Sequence, residues 1–330
     1  KLYQMLSFLR KKDFLKVETI ANSISIEKIS KNRQKSVLEI KGKIADRLNK
    51  FDKAYKHYCN MNQLIKTEHS FAACNPNDYF IREKKILSEL KNTKPEKLNS
   101  IELIDNQPTF LIGFPRSGTT LLDTILRSHS SIDIVEEQDA VNRTQILLEN
   151  FEHAEAFNFL DKFPNEKNRQ VALNTYIKVF EQNLTKSQRC AVNIDKFPLN
   201  ILRLPLINFL FPQTKYILVI RHPFDTILSN WMQNYELNSA MANMVDLDRI
   251  VEFYCLTMET AKIAKEKLNL DIHLTRYEDL VADIELETTK ILSFLNLRWE
   301  NNLKDYRQTA LKRKTIRTPS YSQVIEPLYN

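Results

Sequence analysis

Glycine is nearly missing from this 330-residue chain: three residues stand where average usage near 7% would supply about 23. A chain that avoids glycine so strongly keeps it only where backbone geometry requires it, and Gly113 and Gly118 fall within one short segment. Long apolar runs are also lacking. Pieces such as Phe110-Leu-Ile-Gly-Phe114 fall far short of the roughly 18 residues that cross a bilayer, which excludes a membrane-spanning segment in this chain. The four cysteines, Cys59, Cys74, Cys190 and Cys255, make no Cys-x-x-Cys pair and have no histidine at metal-ligand spacing. They read as buried free thiols. With 43% hydrophobic and 27% charged residues the composition is that of a globular protein, and the length suggests about two domains.

The net charge of +7 divides unevenly. Residues 1–100 hold 22 Lys and Arg against 11 Asp and Glu, net +11, and residues 101–330 hold 26 against 30, net −4. The basic first 100 residues have few aromatics among their charges, so they read as a solvated lysine-rich helical face, and no nucleic-acid partner is expected. The chain begins at Lys1 without an apolar leader and looks trimmed, leaving the cytoplasm as the default location.

Up to Asn92 the apolar spacing is helical, with Leu2, Met5, Leu6 and Leu9 on one stripe and Phe51, Ala54, Tyr55 and Tyr58 on another. Gly42-x11-Ala54-x3-Tyr58 fits the small and aromatic positions of a tetratricopeptide helix pair, and Phe14 precedes Phe51 by a spacing near that repeat's period. The repeat's Trp and Pro positions are not filled, so two ordinary amphipathic helix pairs fit equally well. Residues 93–107 read as a connection, giving a helical tetratricopeptide-like region at 1–92 and a second domain at 108–330. There, short β-rich runs at 110–113, 191–194, 216–220 and 272–275 alternate with helical segments near 119–129, 138–186, 199–210, 224–235, 247–268 and 284–296. That alternation predicts an α/β fold: a P-loop-like parallel sheet flanked by helices.

The first of these strands runs into Gly113-Phe-Pro-Arg-Ser-Gly-Thr-Thr120 and then into an amphipathic helix, which places backbone N–H groups and the positive helix end around an anion. The nucleotide-binding pattern Gly-x4-Gly-Lys-Ser/Thr is met at Gly113, Gly118 and Thr120, but Thr119 replaces the lysine that a γ-phosphate requires. Arg116 can supply the positive charge instead. A second strand-to-helix corner, Tyr216-Ile-Leu-Val-Ile-Arg-His-Pro-Phe-Asp-Thr-Ile-Leu-Ser229, offers Arg221 and Ser229 to another anion. Two such corners at the strand C-termini of one sheet predict a ligand with two separated anionic groups.

Arg116-Ser-Gly-Thr-Thr120 followed by Arg221-x7-Ser229 resembles the pair of signatures with which sulfotransferases hold 3′-phosphoadenosine 5′-phosphosulfate. The resemblance covers about 108–330 and extends to Val135-Glu-Glu137, Asp195-Lys-Phe-Pro-Leu-Asn200, Arg276-Tyr-Glu-Asp-Leu280 and Thr318-Pro-Ser-Tyr-Ser-Gln-Val324, which are similar to the tyrosylprotein-sulfotransferase type and its bacterial relatives with tetratricopeptide helices. It implies a sulfotransferase fold and in-line sulfuryl transfer without a metal. By matching motif, Glu137 corresponds to the general base, with Glu136 its nearest rival, and Arg116, Lys196 and Ser320 to the cations and hydroxyl at the leaving oxygen. The donor contacts implied are Arg116, Ser117, Gly118, Thr119, Thr120, Arg221, Ser229, Tyr277 against the adenine, Ser320, Gln323 and Val324, with adenosine 3′,5′-bisphosphate as the product. The acceptor is a hydroxyl, tyrosine in a peptide held by the helical region being one candidate. His129 and His222 read as structural. Two other readings stay open: an ATP-dependent P-loop kinase, opposed by Thr119, and a catalytically dead helical-repeat interaction protein.

Overall fold

The computed structural model describes residues 1–93, 107–152, 166–186 and 190–312. Ser320, Gln323, Val324 and all but the ends of the expected connection 93–107 lie outside the described residues. The chain forms two compact units, one from Lys1–Ile81 with Ile227–Phe253, the other from Arg82–Thr226 with Tyr254–Asn330. Among the described residues no helix is long and apolar enough to cross a membrane.

The first unit is helical. Helices Leu2–Arg10, Phe14–Asn22 and Lys31–Arg47 bury Met5, Val17, Ala21, Val37, Ile40 and Ile44 in one core. Asp13 caps the second of them, accepting a hydrogen bond from the Lys16 N–H at 3.3 Å. Phe51–Lys66 pairs with Lys31–Arg47, and a Cβ on Gly42 would lie 2.6 Å from Cζ of Tyr58, so the glycine is what lets the tyrosine ring approach. The buried stripe of Phe51–Lys66 is Ala54, Tyr58, Met61 and Ile65, while Phe51 and Tyr55 stay exposed. Phe51 is the first residue of its helix and has no preceding turn to lie over, since helical side chains lean toward the N-terminus.

The second unit holds a five-stranded, wholly parallel sheet of order β2-β3-β1-β4-β5. The strands are β1 (Thr109–Gly113), β2 (Ile132–Glu136), β3 (Val192–Lys196), β4 (Lys215–Ile220) and β5 (Asp271–Arg276). Alternation along β1 sends its side chains to two different cores. Phe110 joins Tyr176, Phe211 and Tyr216 in an aromatic cluster with ring centroids 4.9–6.1 Å apart. Leu111 joins Leu121, Leu122 and Ile125 of the helix Thr119–Arg127, together with Ile291 and Leu292. Burial of such side chains contributes about 1.5–3 kcal/mol each.

Three details differ from the sequence reading. β2 was not expected, because Asp133 and Glu136 interrupt its apolar pattern. Asp133 is nonetheless buried, accepting hydrogen bonds from Thr185 N–H (2.7 Å), Thr185 Oγ1 (2.8 Å) and Lys186 N–H (2.8 Å). The expected helical block 138–186 contains separate helices, Ala140–Glu152 and Glu166–Glu181. The cysteines are free, but Cys59, Cys74 and Cys190 are only half-buried and Cys255 is exposed, so none is the core thiol anticipated.

Candidate active site

β1 and β4 lie side by side, and the chain leaves them in opposite directions across the sheet, toward β2 and β5 respectively. This topology opens a crevice at their C-terminal ends. Gly113, the last residue of β1, has no room for a side chain: a Cβ there would lie 2.6 Å from the Val219 carbonyl oxygen and 2.7 Å from Ser117 Oγ. The turn that follows puts Arg116 at φ 70° and Gly118 at φ 105°, both left-handed. Gly118 then precedes the helix Thr119–Arg127, whose first N–H groups have no carbonyl of their own helix to bond. Ser117 Oγ is buried without a hydrogen-bond partner among the described residues. A tight glycine turn, unspent donors and a helix N-terminus fit a phosphate or phosphosulfate group.

At the adjoining ends of β2 and β3 lies a compact charge cluster. Lys196 is fully buried, and its Nζ donates to Glu137 Oε1 at 2.6 Å and stands 3.4 Å from Glu136 Oε1. Burial disfavours the ammonium, but Glu137, Glu136 and Asp123 around it prevail and hold its pKa above the ordinary lysine value. The Glu137 N–H donates to the Lys196 carbonyl at 2.8 Å, extending the β2–β3 ladder by one residue. Glu137 itself is left-handed at φ 48°, a conformation that costs a non-glycine residue about 1–3 kcal/mol and tends to occur at functional sites. Asp123 is wholly buried and takes a 2.9 Å hydrogen bond from Arg127 Nε, while Arg127 Nη1 donates to the Ile134 carbonyl at 2.7 Å.

The second corner is built from β4 and β5. Arg221 follows β4 directly, and its guanidinium lies over the Tyr277 ring, 4.6 Å from the centroid. Tyr277 opens the short helix Tyr277–Ala282 after β5, and a Cβ on Gly118 would fall 2.4 Å from its Cδ2. Glu278 Oε1 accepts the His222 N–H at 2.8 Å.

Thus the structure brings Gly118 and Arg221 together on the Tyr277 ring, and Glu136 and Glu137 around the buried Lys196 ammonium. Thr119 and Thr120 are buried at the start of their helix, and Arg116 is half-buried in the turn. Ser229 is half-buried on the helix Pro223–Trp231. His129 is structural: Nδ1 accepts the Ser131 N–H at 3.0 Å, and Nε2 faces the Arg298 carbonyl at 2.9 Å, which fixes the proton on Nε2. Sequence reasoning missed Asp123, Arg127 and Glu278. The first two could have been flagged as opposite charges four residues apart on a short, otherwise uncharged helix.

The fold and site together are a parallel α/β sheet with a glycine-turn anion cradle beside a buried Lys–Glu cluster. The sequence profile of the sulfotransferase family matches residues 108–301, more than half of the chain, and the chain belongs to that family. It is 26% identical over 330 residues to an uncharacterized protein of Aquifex aeolicus, an alignment that takes in 95% of this chain and 40% of that one. It is 24% identical over 228 residues to protein-tyrosine sulfotransferase A of Caenorhabditis elegans, covering 66% of this chain and 58% of the relative. The chain therefore spans about half the length of these relatives. Among solved structures, the sulfotransferase domain of the Synechococcus PCC 7002 olefin synthase aligns with 69% of this chain and 89% of its own (21% identity, TM-score 0.41). Sulfotransferase STF1 of Mycobacterium tuberculosis H37Rv aligns with 90% and 92% (12% identity, TM-score 0.41).

Proposed function

We propose that this sulfotransferase-family chain uses 3′-phosphoadenosine 5′-phosphosulfate as donor and a hydroxyl as acceptor, tyrosine in a peptide being the acceptor class we favour. The observation that carries the reading is the buried Lys196 ammonium, 2.6 Å from Glu137, at the strand ends beside the glycine turn. The unpartnered Ser117 hydroxyl and the two glycines without room for a Cβ suit the phosphosulfate end. Arg221, with Ser229 further along the chain, suits the 3′-phosphate.

When bound, the donor supplies the sulfuryl group and a phosphate leaving group. Glu137 takes the proton from the acceptor hydroxyl, a phenol of pKa about 10 that needs a base near neutral pH. Lys196 orients the Glu137 carboxylate and, with Arg116, sets positive charge where the leaving oxygen becomes negative. Its raised pKa keeps it charged throughout the neutral range. Ser320, Gln323 and Val324 complete the proposal from the C-terminal segment, and we assign the helical region to an acceptor peptide.

Thermal unfolding with adenosine 3′,5′-bisphosphate, against ATP with magnesium, tests the donor. At 100 times its dissociation constant a ligand stabilises by about 2.7 kcal/mol, so the bisphosphate should raise the midpoint of the wild type by several degrees without magnesium and fail to do so in Arg221→Ala. A shift confined to ATP with magnesium overturns the reading in favour of a kinase. Glu137→Gln should keep the bisphosphate shift and lower transfer to a tyrosine peptide by about 10²–10⁴-fold. Full activity in that variant would remove Glu137 as the base.

A further inference from the structure

Arg221 has little to hold it in place except one ring. Its Nε is buried without a hydrogen-bond partner among the described residues. Its Nη2 reaches Asp225 only at 3.4 Å, and Asp225 is exposed. Among the described residues, no well-aligned hydrogen bond therefore sets the direction of the guanidinium fork. The face of Tyr277, 4.6 Å from the guanidinium carbon, is the contact that defines its direction. The ring is itself fixed, since it fills the space where Gly118 would carry a side chain. The backbone after Arg221 is fixed by the neighbouring residue of the same helix, Glu278, through the His222 N–H. β5 delivers both braces in register, Arg276 standing opposite Ile220 of β4.

We infer that Tyr277 and Glu278 are positioning residues that aim the Arg221 guanidinium, so that selectivity for a nucleotide carrying a 3′-phosphate depends on the Tyr277 ring and the Glu278 carboxylate. This rests on the donor reading above and gives Tyr277 a role distinct from the adenine contact that the family resemblance implies. The phenolic hydroxyl is not needed for it; the π face is. Arg221 still makes the contact with the anion.

The test measures dissociation constants of the full chain for adenosine 3′,5′-bisphosphate and for adenosine 5′-monophosphate, with circular dichroism confirming the fold of each variant. The ratio of the two constants reports the 3′-phosphate alone. Tyr277→Phe should keep the wild-type ratio. Tyr277→Leu should lower it by about tenfold, the scale of losing one cation–π contact, and Glu278→Ala should lower it in the same direction, both toward the ratio of Arg221→Ala. Affinity for the monophosphate should change little, and Glu278→Gln, which retains an acceptor for the His222 N–H, should restore most of the ratio. Equal loss of both nucleotides in Tyr277→Leu overturns the inference in favour of an adenine contact, and an unchanged ratio in the folded variant overturns it outright. A wild-type chain that binds neither nucleotide overturns the donor reading, and the inference with it.

Discussion

Asp195 and Lys196 are consecutive on β3 and point to opposite faces of the sheet, one toward the aromatic cluster and the other toward the acidic one. Tyr176 Oη donates to Asp195 Oδ2 at 2.8 Å, yet Oδ1 is buried without a partner, and burial pushes the carboxyl up to about 7. The folded chain thus holds this proton at pH values where the unfolded chain, near 3.8, has released it. Its contribution to stability is full below about pH 4 and is lost as pH rises through 7. Asp195→Asn keeps an acceptor for Tyr176 and removes the titration. Denaturant midpoints across pH 4–8 should show the variant gaining on the wild type by up to roughly 4 kcal/mol above pH 7, and parallel curves would contradict the assignment. Asp133 works with the opposite sign. Burial opposes its charge, but hydrogen bonds from Lys186, Thr185 and Ile134 hold its pKa below the ordinary value, so its contribution fades on acidification. Lys196 and Glu137 were legible as residues, because short motifs carry them. The left-handed backbone of Glu137 and the burial of Asp123 were not, since neither leaves a trace in local composition.

Among the elements, the glycine turn is the most exacting. Gly118→Ala places a methyl 2.4 Å from Tyr277 Cδ2 at φ 105°, and we expect a loss of about 1–3 kcal/mol with weakened bisphosphate binding. Calorimetry of the variant with and without ligand reads both effects. Gly42→Ala makes a similar intrusion, 2.6 Å from Tyr58 Cζ, but in the helical unit. It should lower the midpoint while leaving nucleotide affinity unchanged. Four strands and most helices could be read from periodicity and from where glycine and proline fall. β2 could not, because its buried Asp133 draws partners from Thr185 and Lys186, far along the chain.

For the whole molecule, the helix Pro76–Asn92 passes from one compact unit into the other. Periodicity reveals that a helix continues, not what each turn packs against, so this passage is invisible in the sequence. Within the sheet unit, Glu83 forms a bidentate ion pair with Arg203 at 2.7 and 2.8 Å, and Lys91 pairs with Glu259 at 2.5 Å. Glu83 is entirely buried in that pair. Glu83→Ala should cost about 3–5 kcal/mol in chemical unfolding, while the double replacement Glu83→Leu with Arg203→Met should recover most of it. A single substitution without effect would show that the pair contributes nothing.

The sheet unit is discontinuous in the chain, with Ile227–Phe253 departing between β4 and β5. On the ribosome, β4 therefore emerges with one edge bare. The interval from Ile220 to Asp271 takes on the order of several seconds to translate. Throughout it Tyr216, Ile217 and Val219, all buried in the finished protein, sit on a strand whose hydrogen-bonding edge has no partner. Until β5 is made, that edge is a template on which another extended segment could pair.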